Sequence, residues 1–158
     1  MTDITGRVTA VGRVGIIVSR YHERITTRLL EGARQCCVEA GLGAAEVDVV
    51  WVPGAFELGS TAAALADTGR YAALVALGCV VRGDTPHFDY VAGEASRALS
   101  EVAVRTPIPV GFGLLTVEVL QQAIDRAGGS AGNKGYEAAE AALRTADVFR
   151  QIRDHAAS

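Results

Sequence analysis

The chain has 158 residues, 49% of them apolar, and carries 15 Lys and Arg against 18 Asp and Glu, a net charge of −3. That size points to one globular domain spanning 1–158, and the faintly acidic balance leaves no electrostatic footprint for nucleic acid or an anionic membrane. Cys36, Cys37 and Cys79 form no CxxC pair and, with the histidines, show no metal-ligand spacing, so a reduced cytoplasmic protein without a metal site is expected.

Residues 1–13 are mixed in character and read as an extended arm, either a short edge strand or a segment that pairs with a neighbour. Val14 to Val18 is a short, β-branched run that predicts a buried parallel strand. It is too short for a signal peptide or a membrane span. After the turn Ser19 to His22 comes a helix with Ile25, Leu29, Ala33, Cys36 and Ala40 on one face, ending at Gly41. Val47 to Val52 predicts a second strand, broken by Pro53-Gly54. A helix starts at Ala55 to Leu58 and runs towards Asp67, and Gly69 ends it. Tyr71 to Val81 predicts the third and most apolar strand.

Gly78 to Tyr90 then passes from strand to polar turn to helix start, with His87 in the first helical turn. The next helix shows Val91, Ala95, Ala98, Leu99 and Val102 at helical spacing, and Thr106-Pro107-Ile108-Pro109 is a stiff connection. Val110 to Leu115 predicts the fourth strand. Thr116 is read as the N-cap of a helix over Val117 to Arg126. Gly128 to Gly132 reads as a flexible break. The last helix starts near Asn133 and places Ala139, Ala142, Leu143, Ala146 and Phe149 on one face; beyond Arg153 fraying is expected.

Strand–helix alternation four times over predicts an α/β fold with a mostly parallel sheet covered on both faces. In such sheets ligands bind beyond the carboxyl ends of the strands. That rule gathers four loops: Ser19 to His22, Pro53 to Glu57, Val80 to His87, and the end of Phe112 to Thr116.

His87 stands out through its turn. Thr85-Pro86 reads as an N-cap followed by Pro at the first helical position, and a helix N-terminus presents free N–H groups that suit phosphate or carboxylate. An imidazole there can take up and release protons near pH 7. Glu57 sits at a helix start, where it either complements the dipole or, with Ala55 and Phe56, meets a flat polar ligand. Tyr21 is either a stacking ring or a surface aromatic. Arg126 either closes a helix dipole or clamps phosphate. His22 and His155 have no chemical context. Lys134 follows Asn133, so GxxxxGK[ST] is absent, and Gly111-Phe112-Gly113 lacks the third glycine of GxGxxG; neither NAD nor ATP is expected.

Taken together, these residues resemble the lumazine synthase family. The likeness lies in four collinear blocks: Pro53 to Leu58, Gly78 to Tyr90, Phe112 to Thr116, and Asp125 to Gly128 continuing through Gly132 to Gly135. The resemblance implies a three-layer, flavodoxin-like α/β sandwich with a four-stranded parallel sheet. It implies condensation of 5-amino-6-(D-ribitylamino)uracil with 3,4-dihydroxy-2-butanone 4-phosphate to 6,7-dimethyl-8-ribityllumazine, without cofactor or metal.

By the same resemblance His87 transfers protons and Tyr21 stacks on the pyrimidine. Ala55, Phe56 and Glu57 hold that substrate and its ribityl chain, and Cys79, Val80 and Val81 lie beside the ring. Gly83, Asp84 and Thr85 meet the butanone phosphate, which Arg126 clamps; Phe112 and Lys134 are further pocket residues. The family's site lies between adjacent subunits of a homopentamer, with the Phe112 and Arg126 side supplied by the neighbour. Some members pack twelve pentamers into a hollow icosahedral shell that can enclose riboflavin synthase. The chain departs from common family sequences at Tyr21-His22, where Phe-Asn is frequent, and at Val117-Glu118-Val119, where a more polar segment is.

Overall fold

Four short, largely apolar runs form the sheet. In the computed structural model, which describes residues 1–158, these are β1 (Val14–Ser19), β2 (Val47–Val52), β3 (Ala73–Val81) and β4 (Val110–Val117), with β1 and β3 mostly buried and β2 only half-buried. They pair in the order β2-β1-β3-β4, every pair parallel. Each crossover carries a helix, as parallel pairing requires: α1 (Glu23–Glu39), α2 (Leu58–Asp67) and α3 (His87–Arg105). Beyond β4 come α4 (Leu120–Arg126), a hairpin of β5 (Ala127–Gly129) and β6 (Gly132–Asn133), and α5 (Lys134–Ala157). No helix is long and apolar enough to cross a membrane.

Two cores sandwich the sheet. One joins Ile16, Val75 and Leu77 to Leu29 of α1, Ala123 of α4 and Leu143 of α5. The other joins Ile17, Leu74 and Ala76 to Leu58 of α2 and Leu99 of α3. The architecture is therefore a three-layer, flavodoxin-like α/β sandwich. Its helices interlock closely where α1 meets α5. Gly135 lies against the Leu29 carbonyl, with no room for a Cβ. Asn133 caps α5 by accepting from the N–H groups of Gly135 (2.8 Å) and Tyr136 (3.0 Å), and it donates to the Arg28 carbonyl (3.0 Å).

Several boundaries differ from those expected. β3 begins at Ala73 rather than at Tyr71, whose hydroxyl donates to Asp48 at 2.8 Å. Thr116 is no N-cap: it pairs with Val80, and β4 continues to Val117 opposite Val81. β-branched residues suit a strand here better than a helix start. The helix begins at Leu120 instead, and the Gln122 side chain accepts from the N–H groups of Glu118 (2.8 Å) and Val119 (3.3 Å).

The glycine run after α4 is a hairpin rather than a break. Gly128 and Gly132 take φ values of 94° and 81° there, which favour glycine. α5 runs to Ala157, past the fraying point expected at Arg153. Residues 1–13 form no strand; Gly6 and Arg7 lie against α5 of the same chain.

Candidate active site

The carboxyl ends of β1, β2 and β3 open into one cleft of about 610 Å³. This is the sheet's switch point, since the chain leaves β1 for β2 on one side and returns to β3 on the other. The loops there are joined by backbone bonds. Arg20 N–H donates to Val52 (2.8 Å) and Tyr21 N–H to Pro53 (3.0 Å), which fixes Tyr21 beside the β2 loop. Ala55–Glu57 forms a 3₁₀ turn leading into α2, held by the Thr61 hydroxyl donating to the Glu57 carbonyl at 2.8 Å.

Of the residues singled out in the sequence, Tyr21, Ala55, Phe56, Glu57, Cys79, Val80, Val81, Gly83, Thr85 and His87 line this cleft. Tyr21 and Phe56 leave 68% and 60% of their surface open. Two large rings left uncovered beside a cleft offer a platform for a flat partner. Cys79 is buried in the wall, and burial pushes its thiol up to about 11, so it is a neutral wall group at pH 7 and no thiolate nucleophile.

His87 is the first residue of α3, one position nearer the helix start than expected. Pro86 takes the N-cap position, and its carbonyl accepts from the Asp89 N–H at 3.0 Å. Thr85 contributes a weak cap, its hydroxyl oxygen 3.5 Å from the His87 nitrogen. The imidazole is exposed at the cleft mouth and free of side-chain partners.

The remaining residues stand elsewhere. Asp84 is exposed in the same turn but outside the cleft lining. Phe112 and Lys134 line a separate pocket of about 400 Å³ on the open edge of β4, against α5. Arg126 ends α4 with its guanidinium on the Gln122 carbonyl at 3.0 Å, and it lines neither pocket. Within one chain, then, most of the expected residues share the His87 cleft, Phe112 and Lys134 share a second pocket, and Asp84 and Arg126 line neither. No group of three or more His, Cys, Asp or Glu is placed to hold a metal ion.

Two features went unread in the sequence. Phe88 and Val91 line the cleft from the first turns of α3; only Val91, four residues after His87, carries a spacing that would have revealed it. His22, expected to be structural or solvent-facing, caps α1 in the left-handed region (φ 59°) with its ring edge-on to Tyr21, centroids 4.6 Å apart.

A β2-β1-β3-β4 parallel sheet with an aromatic cleft at its switch point defines a flavodoxin-like α/β protein with a candidate ligand cleft at the strand ends. The family model for 6,7-dimethyl-8-ribityllumazine synthase matches residues 12–150, and the chain belongs to that family, the lumazine synthases of riboflavin biosynthesis.

Proposed function

We propose that the protein is a transferase that condenses 5-amino-6-(D-ribitylamino)uracil with 3,4-dihydroxy-2-butanone 4-phosphate, giving 6,7-dimethyl-8-ribityllumazine with loss of phosphate and water. The observation that carries this reading is the meeting of Tyr21, Phe56, Glu57 and His87 in one cleft of a chain matched by the family over residues 12–150.

In this reading the pyrimidine stacks on Tyr21, with Ala55, Phe56 and Glu57 holding its edge and ribityl chain and Cys79 to Val81 forming the wall. The turn Gly83 to Thr85 meets the phosphate. The pyrimidine's amine attacks the ketone carbon, and loss of water leaves an imine. Phosphate departs, the enol tautomerises, and the ribityl-bearing nitrogen attacks the second carbonyl, whose oxygen leaves as a second water to complete the ring. Positioning two reactive substrates supplies much of the acceleration. His87 moves protons, an effect of about 10²–10⁴-fold for groups of this kind.

Phe112, Lys134 and Arg126 belong to the site of an adjacent subunit. Their separation from the His87 cleft within the chain supports that arrangement. The working form is then a homo-oligomer, a pentamer or a shell of pentamers able to enclose riboflavin synthase, in the cytoplasm, each chain acting as one domain. Absorbance after mixing protein with both substrates tests the reaction. The lumazine chromophore should appear above the uncatalysed rate and fall sharply in His87→Ala. A folded oligomer with no excess rate would leave the cleft as a site for binding flavin or lumazine only.

A further inference from the structure

The turn that carries His87 has almost no support of its own. Gly83, Asp84 and Thr85 make no backbone hydrogen bond to the rest of the protein, and the one bond within the turn is the 3.5 Å contact of Thr85 with the His87 N–H. Yet the side chain just before the turn is heavily engaged. Arg82 donates its backbone N–H to Val117 at 2.9 Å, extending the β3–β4 pairing by one residue. Its guanidinium then reaches over the turn. Nη2 meets Asp89 at 3.3 Å, Nε meets Glu118 at 2.9 Å, and the flat face lies 4.4 Å from the Phe88 ring centre. Asp89 and Phe88 are the two residues after His87.

Resting on the reaction proposed above, we infer that Arg82 is a positioning residue. Its guanidinium ties the first turn of α3 to the end of β3 and the loop after β4, and so fixes where His87 stands at the cleft. The geometry uses what is particular to Arg: a planar fork for two carboxylates and a face for an aromatic ring. The carboxylates hold the guanidinium as firmly charged, Glu118 first and Asp89 second. The side chain is 39% exposed, and open ion pairs of this kind add little to stability. Misplacing a catalytic group by about 1 Å, in contrast, can cost about 10²-fold in rate. Arg82 therefore matters to turnover far more than to folding.

The test is Arg82→Met, which keeps the apolar stem and removes the fork. With both substrates, kcat should fall about 10- to 100-fold while Tm drops by no more than about 4 °C. Arg82→Lys should restore only part of kcat, since an ammonium supplies neither fork nor face. Glu118→Gln, which cuts one ion pair without changing volume, should lower kcat in wild type and add nothing in the Arg82→Met background. Crystal structures of wild type and Arg82→Met supply a readout free of activity, in which residues 83–87 should be displaced. A wild type that makes lumazine beside an Arg82→Met variant of equal kcat overturns the inference and spares the reaction. A wild type that makes none overturns the reaction, and unmoved residues 83–87 in the variant crystal then overturn the positioning role as well.

Discussion

The carboxylate of Asp147, 1% exposed in the middle of α5, accepts a hydrogen bond of 2.9 Å from the backbone N–H of Arg7, 140 residues earlier in the chain. Arg150 and Gln151 bond to the same carboxylate, and Gln151 also donates to the Thr5 carbonyl at 2.8 Å. Arg150, followed by the Arg7 N–H, holds the carboxyl below its ordinary 3.8. A folded-state value below the unfolded one stabilises the fold above that ordinary value, and the stabilisation fades as pH falls from 3.8 towards the folded value. The N-terminal arm should therefore come loose in acid. At neutral pH, Asp147→Asn should lower unfolding free energy by about 1–3 kcal/mol and speed trypsin cleavage after Arg7. Cleavage at the wild-type rate would show that other contacts hold the arm.

The three thiols make a second pH prediction, of opposite sign. Burial pushes Cys37 and Cys79 up to about 11; burial, with neighbouring Cys37 next, pushes Cys36 up to about 12, all from an ordinary 9.0. A raised folded value favours the native state below pH 9.0, and the benefit is lost as pH climbs from 9.0 through 11–12. Chemical denaturation followed from pH 8 to 11 should show falling stability. Iodoacetamide at pH 7.5 should leave the native protein unlabelled by mass spectrometry, and label three sites once it is unfolded. Prompt labelling of native Cys79 would mean that the cleft wall opens.

The two denaturation experiments probe features that the sequence revealed unevenly. The sheet was legible because apolar runs such as Val14 to Val18 and Val47 to Val52 fall between glycines and turns. The cleft was legible because strand ends in a parallel sheet must lie side by side. Thr116 was misread because a Thr before a polar segment looks like a cap, whereas its pairing with Val80 depends on a strand 36 residues earlier. The arm's place on α5 rests in part on Asp147, whose bond to the Arg7 N–H joins residues 140 apart in the chain. Arg82 stood in the sequence as a polar member of the His87 turn, but its tie to Glu118 did not show, since that partner lies 36 residues later beyond β4.

His22 sits at φ 59°, a region that costs most L-residues about 1–2 kcal/mol and β-branched ones more. Its carbonyl accepts from Ile25 (2.9 Å) and Thr26 (3.0 Å) to open α1, so the conformation is locked by the helix. His22→Gly should be tolerated or mildly stabilising, and His22→Val should lower Tm by several degrees. Because the ring also meets Tyr21 edge-on, the Gly variant should raise KM for the pyrimidine substrate while leaving kcat near wild type. Unchanged KM would show that Tyr21 needs no buttress.

Whether each site is built from two chains can be decided by mixing inactive subunits. His87 lines the strand-end cleft; Phe112 and Lys134 line the β4-edge pocket, and Arg126 lies outside both. Alone, His87→Ala should lose most turnover, and Arg126→Ala should raise KM chiefly for the phosphate substrate. If His87 of one chain works with Arg126 of the next, random co-assembly of the two variants in equal amounts rebuilds a complete pair at about one site in four. Activity at low phosphate-substrate concentration should then rise well above that of either variant, towards about a quarter of wild type by the same count. A site drawn from a single chain gives no such gain, because every subunit still lacks one of the two residues. Refolding the variants together, then separately, and comparing rates distinguishes the two arrangements.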